Sequence, residues 1–427
     1  MYNYIDYKEY YGRIMQFGKN KKVPIHRWYP FVEGYSREFI ESIISEQTIV
    51  PRNCLEPFAG SGTTALELQR MNIECYSFEV NPFMYTLSNA KLKANSYNSA
   101  TIKKHLKRML TTISTISDSE VSNISDFSTL VESEGKKKWN LNKPVFLAVE
   151  KIILAIEELH SKKYRDIYIV VLANVLLEFG NLYRNGKCLS YKKHWQQNEY
   201  TQQEVFDHFS LIIEKTILPD IKTQNKKLNC DNSQKLYLGD SRTLINEKIE
   251  NSSIDLIITS PPYLNSRDYT DSYMLELKAL GYLTNLSDIR KLRSQTLRSH
   301  VQLKLENNFQ LSNELLSDTV DKLVDASQNG ESWNDEIVLM VQAYFDDIKQ
   351  IFEGMFKKLK KDRMVYFNVS NSAYYGVLIN TLDICASIAE DIGFEVIEIR
   401  EARYLNPSPQ QREMVGKLLE GVIVLKK

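Results

Sequence analysis

CLEPFAGSGTTALEL, residues 54–68, decides the fold. A short apolar run ends in a glycine-rich turn, and a helical pattern of apolar side chains follows at once. Strand, glycine turn and helix in that order open a βαβ unit. Gly60 and Gly62 let the backbone turn sharply and approach a ligand, and the helix beginning near Thr63 offers unpaired N–H groups. The triphosphate-loop pattern GxxxxGK[ST] is absent.

Outward from this point, short β-branched runs recur: CYSFEV at 75–80, KLYLGD at 235–240, DLIITS at 255–260, MVYFNV at 364–369, FEVIEI at 394–399 and GVIVLK at 421–426. Helical patterns lie between them, at 36–46, 64–71, 344–361 and 377–393. Alternating strands and helices predict a doubly wound α/β sheet, and the last two strands, joined without a helix, predict an antiparallel C-terminal pair. Two intervals, Glu79 to Lys235 and Tyr263 to Met364, exceed what a crossover needs, and both carry helical patterns. They read as inserted helical segments.

The 427 residues carry 54 basic and 54 acidic side chains, which excludes a uniformly basic nucleic-acid coat but not local patches. At 43% hydrophobic and 25% charged, the chain has material for a full core without a metal or disulfide staple. The five cysteines form no CxxC pair and no metal-ligand cluster, so no metal and a reduced, cytoplasmic setting are expected. No apolar run approaches the ~20 residues of a membrane span, so no membrane association is expected, and the aromatic, charged start is not a signal peptide. Two runs are locally basic: 184–195, with Arg184, Lys187, Lys192 and Lys193 and no acid, and 288–304, with five basic residues and one acid. The first four are candidate phosphate contacts.

Two further strand ends carry acids suited to a nucleoside. Glu79 closes the strand after the glycine turn, about 20 residues on, where a carboxylate accepts from ribose hydroxyls. Asp240 ends LGDSR on the same rim, where it could take an adenine amino proton. The chemistry-bearing stretch is DLIITSPPYLNSRDY, 255–269. Pro261 and Pro262 make a stiff, extended turn that fixes Ser260 before it and Tyr263 after it. Ser260 Oγ and the Pro261 carbonyl can accept from an exocyclic NH2 while Tyr263 stacks on a planar base.

EPFAGSGTT followed by TSPPY resembles the paired signatures of S-adenosylmethionine-dependent DNA amino-methyltransferases of the SPPY type. FEVNP and LGDSR are similar to that family's ribose and adenine positions, and HRWYPFVEGYSREFI at 26–40 resembles the element closing over the methionine part of the cofactor. NLYRNGKCLSYKK at 181–193, VYFNVSNS at 365–372 and the tail from 403 resemble further elements of such enzymes. The resemblance implies a mostly parallel, seven-stranded Rossmann-like methyltransferase sheet with an antiparallel C-terminal strand and two helical insertions. It implies S-adenosyl-L-methionine as cofactor, held by Tyr29, Pro30, Glu56, Pro57, Phe58, Ala59, Gly60, Gly62, Thr63, Thr64, Glu79, Val80, Asp240, Ser241 and Ser260, with Ser260, Pro261, Pro262 and Tyr263 as the catalytic turn.

The expected layout is a cofactor-binding core part at 1–88, a helical insertion at 89–232, the core with its catalytic motif at 233–265, a second insertion at 266–343 and the core's end at 344–427. Both insertions are candidates for target recognition. Ser before PPY implies cytosine N4 in double-stranded DNA, in a restriction–modification or related host-defence setting with a paired endonuclease as possible partner. Adenine N6, an RNA base amine, and a non-catalytic nucleic-acid-binding partner with a degenerate fold are the alternatives. Methylation of a cytosine ring carbon is disfavoured, because no cysteine follows a proline.

Overall fold

The computed structural model describes residues 2–32, 34–121, 125–185, 188–224, 234–265, 268–302, 305, 309, 311–328 and 336–427. The strands are β1 (Tyr4–Asp6), β2 (Asn53–Glu56), β3 (Glu74–Glu79), β4 (Leu182–Asn185), β5 (Cys188–Tyr191), β6 (Lys235–Leu238), β7 (Ile254–Thr259), β8 (Leu359–Ser370), β9 (Ser372–Tyr374), β10 (Val377–Ile379), β11 (Glu395–Leu405) and β12 (Leu418–Lys426). Eight of them form one sheet in the order β1-β11-β12-β8-β7-β2-β3-β6. Only β12 runs antiparallel to its neighbours, β8 and β11; the remaining pairs are parallel.

This is the expected doubly wound sheet with one strand more than expected. The extra strand is β1, parallel to β11 with Tyr4 opposite Ile399. Three residues without a continuous apolar run give little sequence signal for a strand. The other seven match the predicted runs, with β6 two residues shorter and β8, β11 and β12 longer. The helix expected from 377 begins at Thr381, because Val377–Ile379 pairs with β9 across a turn in which Tyr375 and Gly376 both have positive φ. The helix expected to reach 361 stops at Lys358, where β8 begins.

Side chains alternate between the two faces of each central strand. Cys54 of β2 with Leu256 and Ile258 of β7 join one apolar cluster, and Leu55 with Ile257 join the other. The first face is covered by helices Arg37–Glu46, Thr63–Arg70 and Pro82–Leu92. Helices Lys143–Glu157, Lys162–Phe179 and Gln202–Ile212, between β3 and β6 in sequence, share that cluster through Val149, Ile152, Val170, Val171 and Phe209. Helices Glu336–Lys358 and Thr381–Ile392 cover the second face, with Tyr344, Ile348, Phe352 and Ile388 in its core. β4 and β5 make a separate hairpin.

The winding reverses between β2 and β7. From β2 the chain moves outward to β3 and β6, and from β7 it moves the other way to β8. In an open α/β sheet, ligands bind in the crevice at the carboxyl ends of strands at such a reversal. The glycine turn follows β2 and the SPPY turn follows β7, so the two informative motifs flank that crevice. No helix among the described residues is long and apolar enough to cross a membrane.

Candidate active site at the reversal of the sheet

Gly60 and Gly62 both take positive φ, +52° and +78°. A Cβ on Gly62 would lie 2.9 Å from Ser88 Oγ, and one on Gly60 would meet the Phe31 ring at 2.9 Å, so neither position accepts a side chain without displacement. The turn is held from below: Ser88 Oγ donates to the Gly60 carbonyl at 2.9 Å and Lys91 Nζ to the Ser61 carbonyl at 3.0 Å. Lys91 is fully buried, and burial pushes its ammonium down to about 7.

Glu79 accepts from the Gly60 N–H at 2.7 Å and the Asn81 N–H at 2.8 Å, while burial pushes its carboxyl up to about 7. Its carboxylate thus closes the glycine turn onto the end of β3. Glu56 plays a structural part. It is 1% exposed and accepts from Thr259 Oγ1 at 2.5 Å, Tyr35 OH at 2.7 Å, Thr64 Oγ1 at 2.9 Å and the Phe58 N–H at 3.0 Å. It ties β2 to β7 beneath the crevice, and its carboxyl too is pushed by burial up to about 7.

A cavity of about 590 Å³ opens over these turns, within the range of small-molecule sites. Of the predicted residues it is lined by Pro30, Pro57, Phe58, Gly60, Glu79, Val80, Asp240, Ser241, Ser260, Pro261, Pro262 and Tyr263. Ala59, Gly62, Thr63 and Thr64 shape the turn and helix start without lining the cavity. The Asp240 carboxylate is already engaged, accepting from Arg242 N–H and from its guanidinium at 2.6–3.0 Å.

Tyr29 corrects the sequence reading. It is fully buried, its hydroxyl on Glu276, and the cavity is lined instead by the next two residues, Pro30 and Phe31. Phe31 stacks on Tyr273 with an interplanar angle of 11°. Arg184 is a second correction. Its side chain is 8% exposed, pairs with Glu276 at 2.6 Å, donates to the Ser272 carbonyl at 2.9 Å, and lies between the rings of Tyr29 and Tyr273 at 5.1 and 4.6 Å. It is an internal tie rather than a surface cation. Lys192 donates to the carbonyls of Leu177 and Glu178 at a helix end, at 2.9 and 2.5 Å. Lys193 is exposed, and Lys187 lies outside the described residues. In the second basic run, Arg293 pairs with Asp268 and Asp271, and Arg298 with Asp346 and Asp347, leaving Arg290 and Lys291 exposed.

Sequence reasoning missed a whole wall of the cavity. Asp268, Tyr269, Thr270 and Tyr273, then Gln295 to Leu297, Ser299 and His300, come from the stretch between β7 and β8. It also missed the floor beneath the SPPY turn. Tyr263 OH donates to Glu420 Oε1 at 2.6 Å and accepts from Asn368 Nδ2 at 2.7 Å; Asn368 Nδ2 also reaches Ser260 Oγ at 3.3 Å, and Arg403 pairs with Glu420. The same turn is braced by Tyr269 OH, which accepts from the Tyr263 N–H at 3.0 Å, and by Tyr344 OH donating to the Pro262 carbonyl at 3.0 Å. Among the described residues, no group of three or more His, Cys, Asp or Glu side chains could hold a metal ion.

No family model matches the chain. It is similar to the Type II methyltransferase M.BsoBI of Geobacillus stearothermophilus, 26% identical over 455 residues that span 97% of this chain and 86% of the relative. It is also 26% identical over 424 residues to the Type II methyltransferase M.AvaI of Anabaena variabilis, spanning 91% of this chain and 82% of the relative. Among solved structures, the rRNA methyltransferase aviRa from Streptomyces viridochromogenes superposes over 94% of this chain and 84% of its own with a TM-score of 0.29 and 8% identity, a likeness too weak to bear on fold or function.

Proposed function

We propose that this chain is an S-adenosylmethionine-dependent, site-specific DNA methyltransferase of a restriction–modification system, acting on the exocyclic amine of a base turned out of the duplex, cytosine N4 before adenine N6. The observation that carries the reading is the meeting of the glycine turn with the Ser260-Pro261-Pro262-Tyr263 turn across one cavity at the sheet's reversal. Near-full-length similarity to proteins named Type II methyltransferases supports the same class.

The residues fit the cofactor. Gly60 leaves the lip free of a Cβ, Glu79 offers a half-buried carboxylate to ribose hydroxyls, and Pro30, Phe31, Phe58 and Val80 supply apolar walls. Asp240 would meet the adenine side only alongside its bond to Arg242. When bound, S-adenosylmethionine supplies an activated sulfonium methyl group. The chain's task is then to align the acceptor nitrogen, and positioning alone is worth up to about 7–11 kcal/mol in favourable cases. Ser260 Oγ and the Pro261 carbonyl accept from the target NH2, favouring a pyramidal nitrogen and offsetting charge that develops there. A base inside a duplex cannot reach this turn, so it is flipped at a cost of a few kcal/mol, with Tyr263 stacking on it in compensation. Among the described residues, Lys193, Arg290 and Lys291 are the exposed lysines and arginines of the two basic runs and serve as phosphate contacts, and the two inserted segments carry target recognition.

The test is to incubate the purified protein with methyl-labelled S-adenosylmethionine and unmethylated genomic DNA, digest to nucleosides and identify the labelled one by mass spectrometry. N4-methylcytosine is expected. N6-methyladenine would keep the class and change the base. Label only in a parallel RNA sample, or cofactor binding with no label in any nucleic acid, would overturn the reading.

A further inference from the structure

We infer that Asn368 is a further catalytic residue, contacting the target amine, and that Glu420 with Arg403 sets the hydrogen-bond polarity of the SPPY turn so that it receives only a donor group. The inference rests on the methyl-transfer reading above. It starts from a carboxylate that can only accept. Glu420, 2% exposed and paired with Arg403, accepts a hydrogen bond from the Tyr263 hydroxyl at 2.6 Å. The Tyr263 oxygen therefore has only lone pairs left, which it gives to Asn368 Nδ2 at 2.7 Å and to Ser260 Oγ–H at 3.5 Å.

Two consequences follow at the cavity. With its proton directed to Tyr263, Ser260 presents lone pairs to a ligand. With its NH2 turned to Tyr263 and Glu420, Asn368 must point Oδ1 the other way, and this orientation follows from the network because a flipped amide would set oxygen against oxygen. Asn368 is 2% exposed, lines the cavity, and its Oδ1 is buried without a partner. A buried carbonyl oxygen without a partner needs an explanation, and among the described asparagines with such an oxygen Asn368 is the one that lines the cavity beside Ser260. In this inference an exocyclic amine brings its two N–H groups to Asn368 Oδ1 and to the acceptors of the turn. A carbonyl at the same ring position would bring lone pairs against lone pairs.

The test uses the full chain on a duplex carrying the site mapped by the labelling experiment. Asn368→Leu is expected to lower the single-turnover methylation rate by about 100-fold, the scale of losing one aligned transition-state contact, with cofactor affinity within about twofold of wild type by the same reasoning. Asn368→Ala removes the same acceptor and serves if leucine is not accommodated. Were Asn368 merely a prop for Tyr263, its loss would disappear in a Tyr263→Phe background; a direct contact keeps at least about tenfold of it, since independent effects persist in a double-mutant cycle. Polarity is read separately. The wild type should bind the amine-bearing duplex more tightly than one with the carbonyl base in its place (uracil for cytosine, hypoxanthine for adenine), and Glu420→Gln should narrow that ratio about tenfold, the scale of one mismatched polar contact. A rate within threefold of wild type in the Asn368 variants, a loss that vanishes with Tyr263→Phe, or an unchanged ratio in Glu420→Gln would overturn the inference while methylation by the wild type still stood. If the wild type labels no exocyclic amine, the functional reading itself falls and takes this with it.

Discussion

Replacing Arg184 by methionine separates an internal tie from a surface phosphate contact. The guanidinium is 8% exposed and faces Glu276, which is 0% exposed and whose second oxygen already has no partner. Methionine fills a similar volume but leaves that carboxylate buried beside two aromatic rings with Tyr29 OH as its remaining partner. Breaking one side of a buried ion pair costs about 3–5 kcal/mol, whereas exchanging both partners for apolar groups is often close to neutral. Arg184→Met should therefore lower the urea midpoint by roughly 1 M, taking a slope of about 3–4 kcal/mol per molar for a chain of this size, and Arg184→Met/Glu276→Leu should recover most of it. The double variant also isolates the DNA question. A phosphate-binding arginine contributes about 0.9 to the slope of log affinity against log salt, so the double variant should keep the wild-type slope. A single-variant cost below about 1 kcal/mol, well under the buried-pair range, or a slope reduced by nearly one in the double variant, would refute the internal role.

Three other outcomes follow from the glycine turn and its surroundings. In the proposed function the Glu79 anion accepts ribose hydroxyls, and since burial holds its carboxyl near 7, cofactor affinity should be lost as pH falls through 7. Calorimetry should find binding about tenfold weaker at pH 6 than at pH 8, with the dependence removed in Glu79→Gln. Lys91, pushed down to about 7 in the folded protein and near its ordinary value when unfolded, binds a proton only in the unfolded chain between those limits. Stability should therefore rise from pH 7 to about 10, and Lys91→Met should flatten that rise in denaturation midpoints. Gly62→Ala should cost about 1–3 kcal/mol and lower the melting temperature, since φ is +78° and Ser88 stands 2.9 Å from the new Cβ.

What sequence revealed here was local. Strands such as DLIITS and turns such as AGSG carry their signal within a few neighbours, because β-branched runs and glycines act through the backbone of the same segment. Arg184 was misread for the converse reason: its partner Glu276 lies 92 residues further on, so a run with no nearby acid looked solvated. Tyr29 sits one residue before the cavity wall, and no pattern in HRWYPF tells which aromatic turns inward. Asn368 and Glu420 occur in stretches that read as plain strands, and their chemistry depends on the register that sets Val422 beside Asn368 and Glu420 beside Ser370. Register is a property of pairing, which a single strand does not encode.

The position of β12 has a consequence in time. This strand lies inside the sheet, between β8 and β11, and its Glu420 supports a tyrosine made 157 residues earlier. On a ribosome adding about 5–20 residues per second, the SPPY turn emerges many seconds before the carboxylate that supports its tyrosine. Until then β8 presents an open edge, and the SPPY turn lacks the carboxylate partner of Tyr263. On the proposed function, a nascent chain acquires its activity only once β12 is in place, and substitutions that slow the entry of β12 should delay the first methylation event without altering the rate of the finished protein.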